Sequence, residues 1–310
     1  MNDELPIKNI FKAYDIRGIV GSELTSPTVK KIGQAIGTMA LSQMQKTICV
    51  GYDGRLSSPS LSTTLIDGLL STGINVIDIG LCTTPMLYFS NFYQETGTGV
   101  MITGSHNPPK YNGFKMVING KTLTSDDIQN LYQIILDSNY LNGEGDKKSL
   151  SIKSQYLHEI SNSIELKRPM KVAIDCGNGA AGVCAEELFK KLGVETEPLF
   201  CDVDGNFPNH HPDPSNPKNL LDLKNKLKNG DSELGLAFDG DADRLGVVTK
   251  DGEIIFPDRQ LLLFSEAVLK ECPKSSIIFD VKSTRHLFSW IKEKGGIPVI
   301  WKTGHSFIKQ

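Results

Sequence analysis

The sequence lacks the features of several protein classes. Its 310 residues contain no apolar run approaching the roughly 18 residues of a membrane helix, and MNDELPIKN at the start holds no apolar signal segment. None of the six cysteines forms a CxxC pair, so we expect reduced, buried thiols. The net charge of −3 argues against nucleic acid or an anionic membrane as the main partner. We therefore expect a cytoplasmic protein. Separately, we expect it to be a monomer.

Three short apolar runs end in aspartate, which indicates a repeated α/β layout. The runs are KTICVGYD, MKVAID and SIIFD, ending at Asp53, Asp175 and Asp280. Polar residues 139–153 (NYLNGEGDKKSLSIK) predict a linker after the first unit. We expect repeated mixed α/β domains whose active-site loops follow the strands. We expect two complete domains, residues 1–150 and 151–253, and about half of a third, residues 254–310. We therefore expect either a fragment of a longer natural chain or a chain that has been truncated.

A serine follows the buried strand in residues 99–109, GVMITGSHNPP. Gly104 allows a sharp turn, and the two prolines prevent the strand from continuing. Ligands of parallel α/β sheets bind beyond the carboxyl ends of the strands, so Ser105 is a candidate for chemistry. The alternative is a tight turn that happens to contain Ser105 and His106. A serine hydrolase is disfavoured because no G-x-S-x-G motif is present.

A second strand-end loop, FDGDADRLG, places Asp239, Asp241 and Asp243 at alternate positions. Three close carboxylates repel one another unless a cation or protons compensate, and oxygen ligands favour Mg²⁺ or Ca²⁺. An EF-hand is excluded, because its sixth and twelfth positions would be Arg244 and Lys250 instead of Gly and Glu. We predict a Mg²⁺ site; the alternative is a solvated acidic turn.

Cationic groups at other strand ends suit phosphoryl transfer, in which a protein positions groups and neutralises phosphate charge. These groups are Arg17, Lys115, Arg244, Lys282 and His305. Tyr14 beside Arg17 can bind a phosphate or a sugar, although an Asp15–Arg17 surface ion pair is the alternative. His210 and His211 lie in a proline-rich loop. No further ligand pattern accompanies them, so we favour a rigid loop over a transition-metal site.

The combined motifs resemble the α-D-phosphohexomutases, most closely the bacterial phosphomannomutase/phosphoglucomutase branch. The resemblance covers essentially the whole chain from about residue 10 and rests on these motifs: KAYDIRGIVG (12–21), TGSHNPPKYNGFK (103–115), DGNFPNHHPDP (204–214), DGDADR (239–244), FDVKSTR (279–285) and WKTGH (301–305). It implies a four-domain enzyme that moves phosphate between O1 and O6 of mannose or glucose, through a phosphoserine and a hexose 1,6-bisphosphate.

The resemblance also implies roles for individual residues. A phosphorylated Ser105 would hold Mg²⁺ together with Asp239, Asp241 and Asp243. Arg17, His106 and Lys115 would assist proton transfer and charge stabilisation around the serine. The implied substrate-binding residues are Arg244, Lys282 and His305.

Two departures from the family pattern affect these expectations. Ala242 stands where close relatives have glycine, which predicts ordinary backbone angles there. The sugar-recognition loop and the fourth domain are missing, so we expect little activity from this chain alone. The alternatives are a phosphoglucosamine mutase, a non-catalytic module that binds metal and phosphate, and a phosphatase.

Overall fold

A computed structural model describes residues 5–309, without the side chain of His305. The first domain contains the strands β1 (Ile16–Ile19), β2 (Thr47–Tyr52), β3 (Asn75–Leu81), β4 (Gly99–Ile102), β5 (Tyr111–Ile118), β6 (Lys121–Thr122) and β7 (Lys147–Ser149). Its helices are α1 (Ser26–Ser42), α2 (Ser58–Leu70), α3 (Thr84–Tyr93) and α4 (Ser125–Leu136).

The first sheet is mixed, with the order β1-β5-β4-β2-β3-β7 and β6 paired to β5. Strand β2 is parallel to β3 and β4, whereas β5 runs antiparallel to β1 and β4. The apolar stripes of α1, α2 and α4 cover one face of this sheet. Helices α1 and α2 pack closely because Gly33 faces Gly68, and a Cβ at Gly33 would lie 3.1 Å from the Cα of Gly68.

The polar segment predicted as a linker is partly a strand. Residues 147–149 form β7, which pairs in parallel with β3 at the edge of the first sheet. Every residue of β7 is exposed, so the strand has no apolar alternation by which the sequence could reveal it. The prediction of a linker over the whole of residues 139–153 was therefore wrong at this strand.

The second domain repeats the layout on a smaller scale. Its elements are α5 (Lys153–Ser163), β8 (Met170–Asp175), α6 (Ala185–Lys191), β9 (Val194–Leu199), α7 (Leu221–Asn229), β10 (Leu234–Phe238), β11 (Leu245–Thr249) and β12 (Ile254–Ile255). The sheet order is β12-β11-β10-β8-β9, with β8 parallel to β9 and β10. The third segment contains α8 (Pro257–Glu271), β13 (Ser276–Asp280), α9 (His286–Glu293), β14 (Ile297–Trp301) and α10 (His305–Lys309), with β13 parallel to β14.

The carboxyl ends of β4 and β10 meet where the first two domains touch. The backbone N–H of Thr84, at the start of α3, donates to the carbonyl of Asp241 in the loop after β10, at 2.9 Å. All six cysteines are free: Cys49, Cys82, Cys176 and Cys184 are buried, Cys201 is half-buried and Cys272 is exposed. The expectation of buried thiols was therefore wrong for Cys201 and Cys272. Among residues 5–309, no helix is both long and apolar enough to cross a membrane.

Candidate active site

The serine loop, residues 103–111, runs from the end of β4 to the first residue of β5 and buries Ser105 at 3% exposure. Ser105 has a φ of 48°, a left-handed conformation that is uncommon outside glycine. Its N–H donates to the Oγ1 of Thr103 at 2.7 Å, and its hydroxyl donates to the Oδ2 of Asp239 at 3.0 Å. The Nδ1 of His106 lies 3.3 Å from the same hydroxyl. The loop therefore directs the serine oxygen at the predicted metal loop.

The metal loop, residues 239–244, connects β10 to β11. Its three aspartates each offer an oxygen, and these oxygens lie within 4.8 Å of one another. The backbone N–H groups of Asp243 and Arg244 both donate to the Oδ1 of Asp239 at 3.0 Å, which closes the turn. Ala242 has a φ of 58°, so the expectation of ordinary backbone angles at this position was wrong. An L-residue in the left-handed region costs roughly 1–2 kcal/mol, and the hydrogen bonds of the turn offset that cost.

The oxygen donors of the metal loop fit a hard divalent cation. Asp239 and Asp241 are fully buried, and the Oδ1 of Asp241 has no hydrogen-bond partner among the described residues. A buried carboxylate oxygen without a donor is costly, so this atom suits a cation ligand. Burial, together with the charges of Asp241 and Asp243, raises the pKa of Asp239 well above its usual range. Asp239, Asp241 and Asp243 could therefore hold a divalent cation, with the Ser105 hydroxyl beside them.

Lys115, on β5, partly neutralises the carboxylates. Its Nζ donates to Asp241 at 2.6 Å and to Asp243 at 2.5 Å, and its side chain is only 7% exposed. Burial acts against the charged forms, but the two carboxylates outweigh it and raise the pKa of Lys115. Burial likewise acts to raise the pKa of Asp241, but the Lys115 ammonium outweighs it and lowers that pKa to about 2. The lysine and Asp241 are thus held as an ion pair.

A cavity of about 730 Å³ opens above these groups. It is lined by Ser105 and by eight other residues named in the sequence analysis: Tyr14, Arg17, His106, Lys115, Ala242, Asp243, Arg244 and Lys282. Arg17 lines the cavity and also pairs with Asp15, so the ion pair considered as an alternative is present together with the position in the cavity. Burial and the charge of Arg244 lower the pKa of His106 to about 4, so its ring is neutral near pH 7. The side chain of His305 lies outside the described part of the chain.

The loop containing His210 and His211 is held by hydrogen bonds of the two imidazole rings. His210 contacts the carboxylate of Asp175 through Nε2, at 3.0 Å, and the carbonyl of His211 through Nδ1, also at 3.0 Å. The Nε2 of His211 donates to the carbonyl of His106 at 2.5 Å. Three of the four ring nitrogens therefore contact protein groups, which agrees with the rigid-loop interpretation.

Sequence reasoning missed four residues behind the cavity. Thr84 donates its hydroxyl to the Oδ2 of Asp241 at 2.5 Å. Asp53 and Arg55 hold the back of the serine loop, and Phe207 from the second domain covers Arg55 at 5.4 Å. The position of Asp53 at a strand end was a usable signal. The other three residues act through contacts with chain that is remote in sequence.

Comparison with known proteins identifies the chain's relatives. Residues 8–141 match the model for phosphoglucomutase/phosphomannomutase, alpha/beta/alpha domain I, and residues 154–252 match the model for domain II. A structure of a phosphoglucomutase/phosphomannomutase family protein from Burkholderia thailandensis superposes with a TM-score of 0.95 at 49% identity, over 98% of this chain and 68% of that chain. The chain belongs to the phosphoglucomutase/phosphomannomutase family. This confirms the family and the fold class expected from the motifs.

Two curated members of this family show how much of their length the chain spans. It is 56% identical to the phosphoglucomutase of Neisseria meningitidis serogroup A over 304 residues, which are 97% of this chain and 66% of the relative. It is 51% identical to the phosphomannomutase/phosphoglucomutase of Pseudomonas aeruginosa over 302 residues, 97% of this chain and 65% of that relative. The chain therefore spans about two thirds of the length of these family members.

Proposed function

We propose that this chain carries the phosphoryl-transfer part of a phosphohexomutase, in which Ser105 accepts and returns a phosphoryl group. The observation that carries the proposal is the buried Ser105 hydroxyl, 3.0 Å from Asp239 in a cluster of three converging carboxylates. A serine beside hard oxygen ligands, under a cavity lined by cations, has the composition of a phosphoryl-transfer site. An acyl-transfer site would instead need donors for a developing oxyanion.

Different residues of the chain carry out proton transfer and charge stabilisation in the proposed step. As the Ser105 oxygen attacks a sugar phosphate, its proton passes to the neutral Nδ1 of His106, 3.3 Å away. The bond from phosphorus to the sugar oxygen breaks, and the proton ends on that oxygen. Arg17, Lys115 and Arg244 supply positive charge for the phosphoryl oxygens. Mg²⁺ held by the aspartates would add Lewis-acid stabilisation of the same charge.

We propose mannose and glucose phosphates as substrates, with a hexose 1,6-bisphosphate as intermediate and activator. The names of the two curated relatives, at 51–56% identity, support hexose phosphates. The N-acetylglucosamine-phosphate mutase structures are 13–16% identical and share the fold alone. Tyr14, Lys282 and His305 are proposed as further substrate contacts, Tyr14 and Lys282 from their place in the cavity lining. The domain boundaries, the cytoplasmic location and the monomeric state stay predictions.

A half-reaction tests the proposal with the residues at hand. The chain is incubated with Mg²⁺ and glucose 1,6-bisphosphate, and its intact mass is measured. We expect a gain of about 80 Da for one phosphate, mapped by fragmentation to Ser105. The S105A variant should show no gain, whereas the S138A control should react normally. Ser138 is a suitable control because it also has a positive φ, 50°, but is exposed on another surface.

Each result of this experiment bears on the proposal. No phosphate on Ser105 would contradict it and would leave a module that binds metal and phosphate without transfer. Free phosphate released in place of a sugar phosphate would indicate a phosphatase.

A further inference from the structure

Arg55 is buried behind the serine loop, with 1% of its side chain exposed. Every N–H of its guanidinium group donates a hydrogen bond. Its Nε donates to the carboxylate of Asp53 at 3.2 Å. The remaining four N–H groups point at the serine loop. They donate to the carbonyls of Ser105 (2.9 Å), Asn107 (2.6 Å), Pro108 (2.8 Å) and Tyr111 (2.9 Å). All five donors of the rigid fork are therefore satisfied, four of them by the loop that carries the serine.

Asp53 holds the start of the same loop. Its Oδ2 accepts the hydroxyl of Thr103 at 2.8 Å and the N–H of Gly104 at 3.1 Å. The Thr103 hydroxyl oxygen accepts in turn from the N–H of Ser105 at 2.7 Å. The amide of Ser105 is thus fixed through Asp53 and its carbonyl through Arg55. Both peptide groups that flank its left-handed backbone are held in place.

Two neighbours fit the guanidinium closely. A Cβ at Gly104 would overlap the Cζ of Arg55, so the turn before the serine has room only for glycine. The ring of Phe207, from the second domain, lies 5.4 Å from the Cζ of Arg55. The described lining of the cavity does not include Arg55 or Asp53, so neither residue is placed to touch a substrate.

We propose that Asp53 and Arg55 are positioning residues, which hold Ser105 in the left-handed conformation that directs its hydroxyl at Asp239. The proposal rests on the proposed function only where phosphoryl transfer is measured. Lysine cannot replace the arginine, because a single ammonium lacks the planar fork that reaches four carbonyls at once. Small displacements of a reacting atom lower the rate of a transfer step strongly, by up to about 100-fold per ångström.

The test uses R55K and the control R168K, an arginine-to-lysine change at an exposed ion pair with Glu233. Hydrogen exchange of the peptide covering residues 103–111 is followed by mass spectrometry, well below the melting temperature. We expect faster exchange in that peptide for R55K alone, while peptides from α1 and α2 exchange as in the unsubstituted chain. A simple loss of stability would instead accelerate exchange in all of these peptides.

The second measurement is the phosphorylation of Ser105 by glucose 1,6-bisphosphate. In R55K, the rate constant at saturation should fall by about 10- to 100-fold, because the oxygen is misplaced. The half-saturating concentration should change less than about twofold, because the substrate contacts remain. If R55K does not fold, T103V serves instead, since it removes the link from Asp53 to the Ser105 amide at nearly constant volume.

The two measurements separate the two proposals. If the unsubstituted chain is not phosphorylated, the proposed function fails, and loop exchange still tests the positioning role. A folded R55K variant that exchanges and phosphorylates like the unsubstituted chain would overturn the inference. A rise in the half-saturating concentration at an unchanged rate constant would also overturn it, because Arg55 would then act through substrate binding.

Discussion

Lys115 is predicted to compensate the negative charge of the metal loop when no divalent ion is bound, and K115M tests this. The substitution keeps the length and apolar stem of the side chain and removes only the charge. Lys115 donates to Asp241 at 2.6 Å and to Asp243 at 2.5 Å, and Asp241 is fully buried. Without the ammonium, the converging carboxylates of the metal loop repel one another with little compensation.

The expected magnitude follows from burial. Removing one partner of a buried ion pair costs about 3–5 kcal/mol, because the other charge is left uncompensated. The control, K147M, removes a half-exposed lysine paired with Asp78 at 2.8 Å, and such a pair is worth about 0–1 kcal/mol. At about 2–4 °C per kcal/mol, K115M should lower the melting temperature in EDTA by roughly 6–20 °C, and K147M by far less.

Adding Mg²⁺ should then stabilise K115M more than the unsubstituted chain. In the latter, the ammonium competes with the metal ion for Asp241 and Asp243. In the variant that competition is gone, so the gain from binding, which grows with ligand concentration over Kd, is larger. The assay is thermal unfolding with and without Mg²⁺. The reasoning is refuted if K115M loses no more stability in EDTA than K147M, or if Mg²⁺ stabilises both chains equally.

Two further changes test the loops behind the site. G104A should lower the free energy of unfolding by about 1–3 kcal/mol, because the new Cβ overlaps Arg55; urea denaturation measures this, and an unchanged midpoint would contradict it. Burial disfavours the protonated form of His210, but the hydrogen bond and charge of Asp175 outweigh it, so the pKa of His210 is raised. Its stabilising contribution is therefore complete below about pH 6.5 and disappears as the pH rises through the raised pKa. The stability difference between H210Q and the unsubstituted chain should shrink over that window, and a constant difference would exclude the effect.

The sequence predicted the two chemical loops because their signals are local. Ser105 and the three aspartates each follow a buried apolar run, and the carboxyl ends of parallel strands are where ligands bind. The structure shows that the two loops are in contact, through the hydrogen bond from Ser105 to Asp239, which are 134 positions apart in the chain. A fold with repeated sheets made that contact plausible, but no local pattern specifies which strand ends meet.

Arg55, strand β7 and the backbone of Ala242 were not predicted correctly from the sequence, for a different reason. Arg55 donates to backbone carbonyls 50–56 positions away. Every residue has a backbone carbonyl, so the sequence does not show which of them accept from Arg55. The strand β7 is wholly exposed, so it carries no alternation of apolar and polar residues. At Ala242 the expectation of ordinary angles followed from residue type alone, whereas the hydrogen bonds of the turn impose a φ of 58°. Tertiary contacts thus determine the first two features, and hydrogen bonds within the turn determine the third.

The site depends on two domains because its charges are divided between them. The first domain supplies the serine and the cation Lys115, and the second supplies the carboxylates. Docking takes both sets of charges out of water, and the ion pairs of Lys115 with Asp241 and Asp243 compensate the charges that it buries. The same docking brings the Ser105 hydroxyl to Asp239. The pairing that stabilises the interface is therefore also the one that assembles the reacting groups.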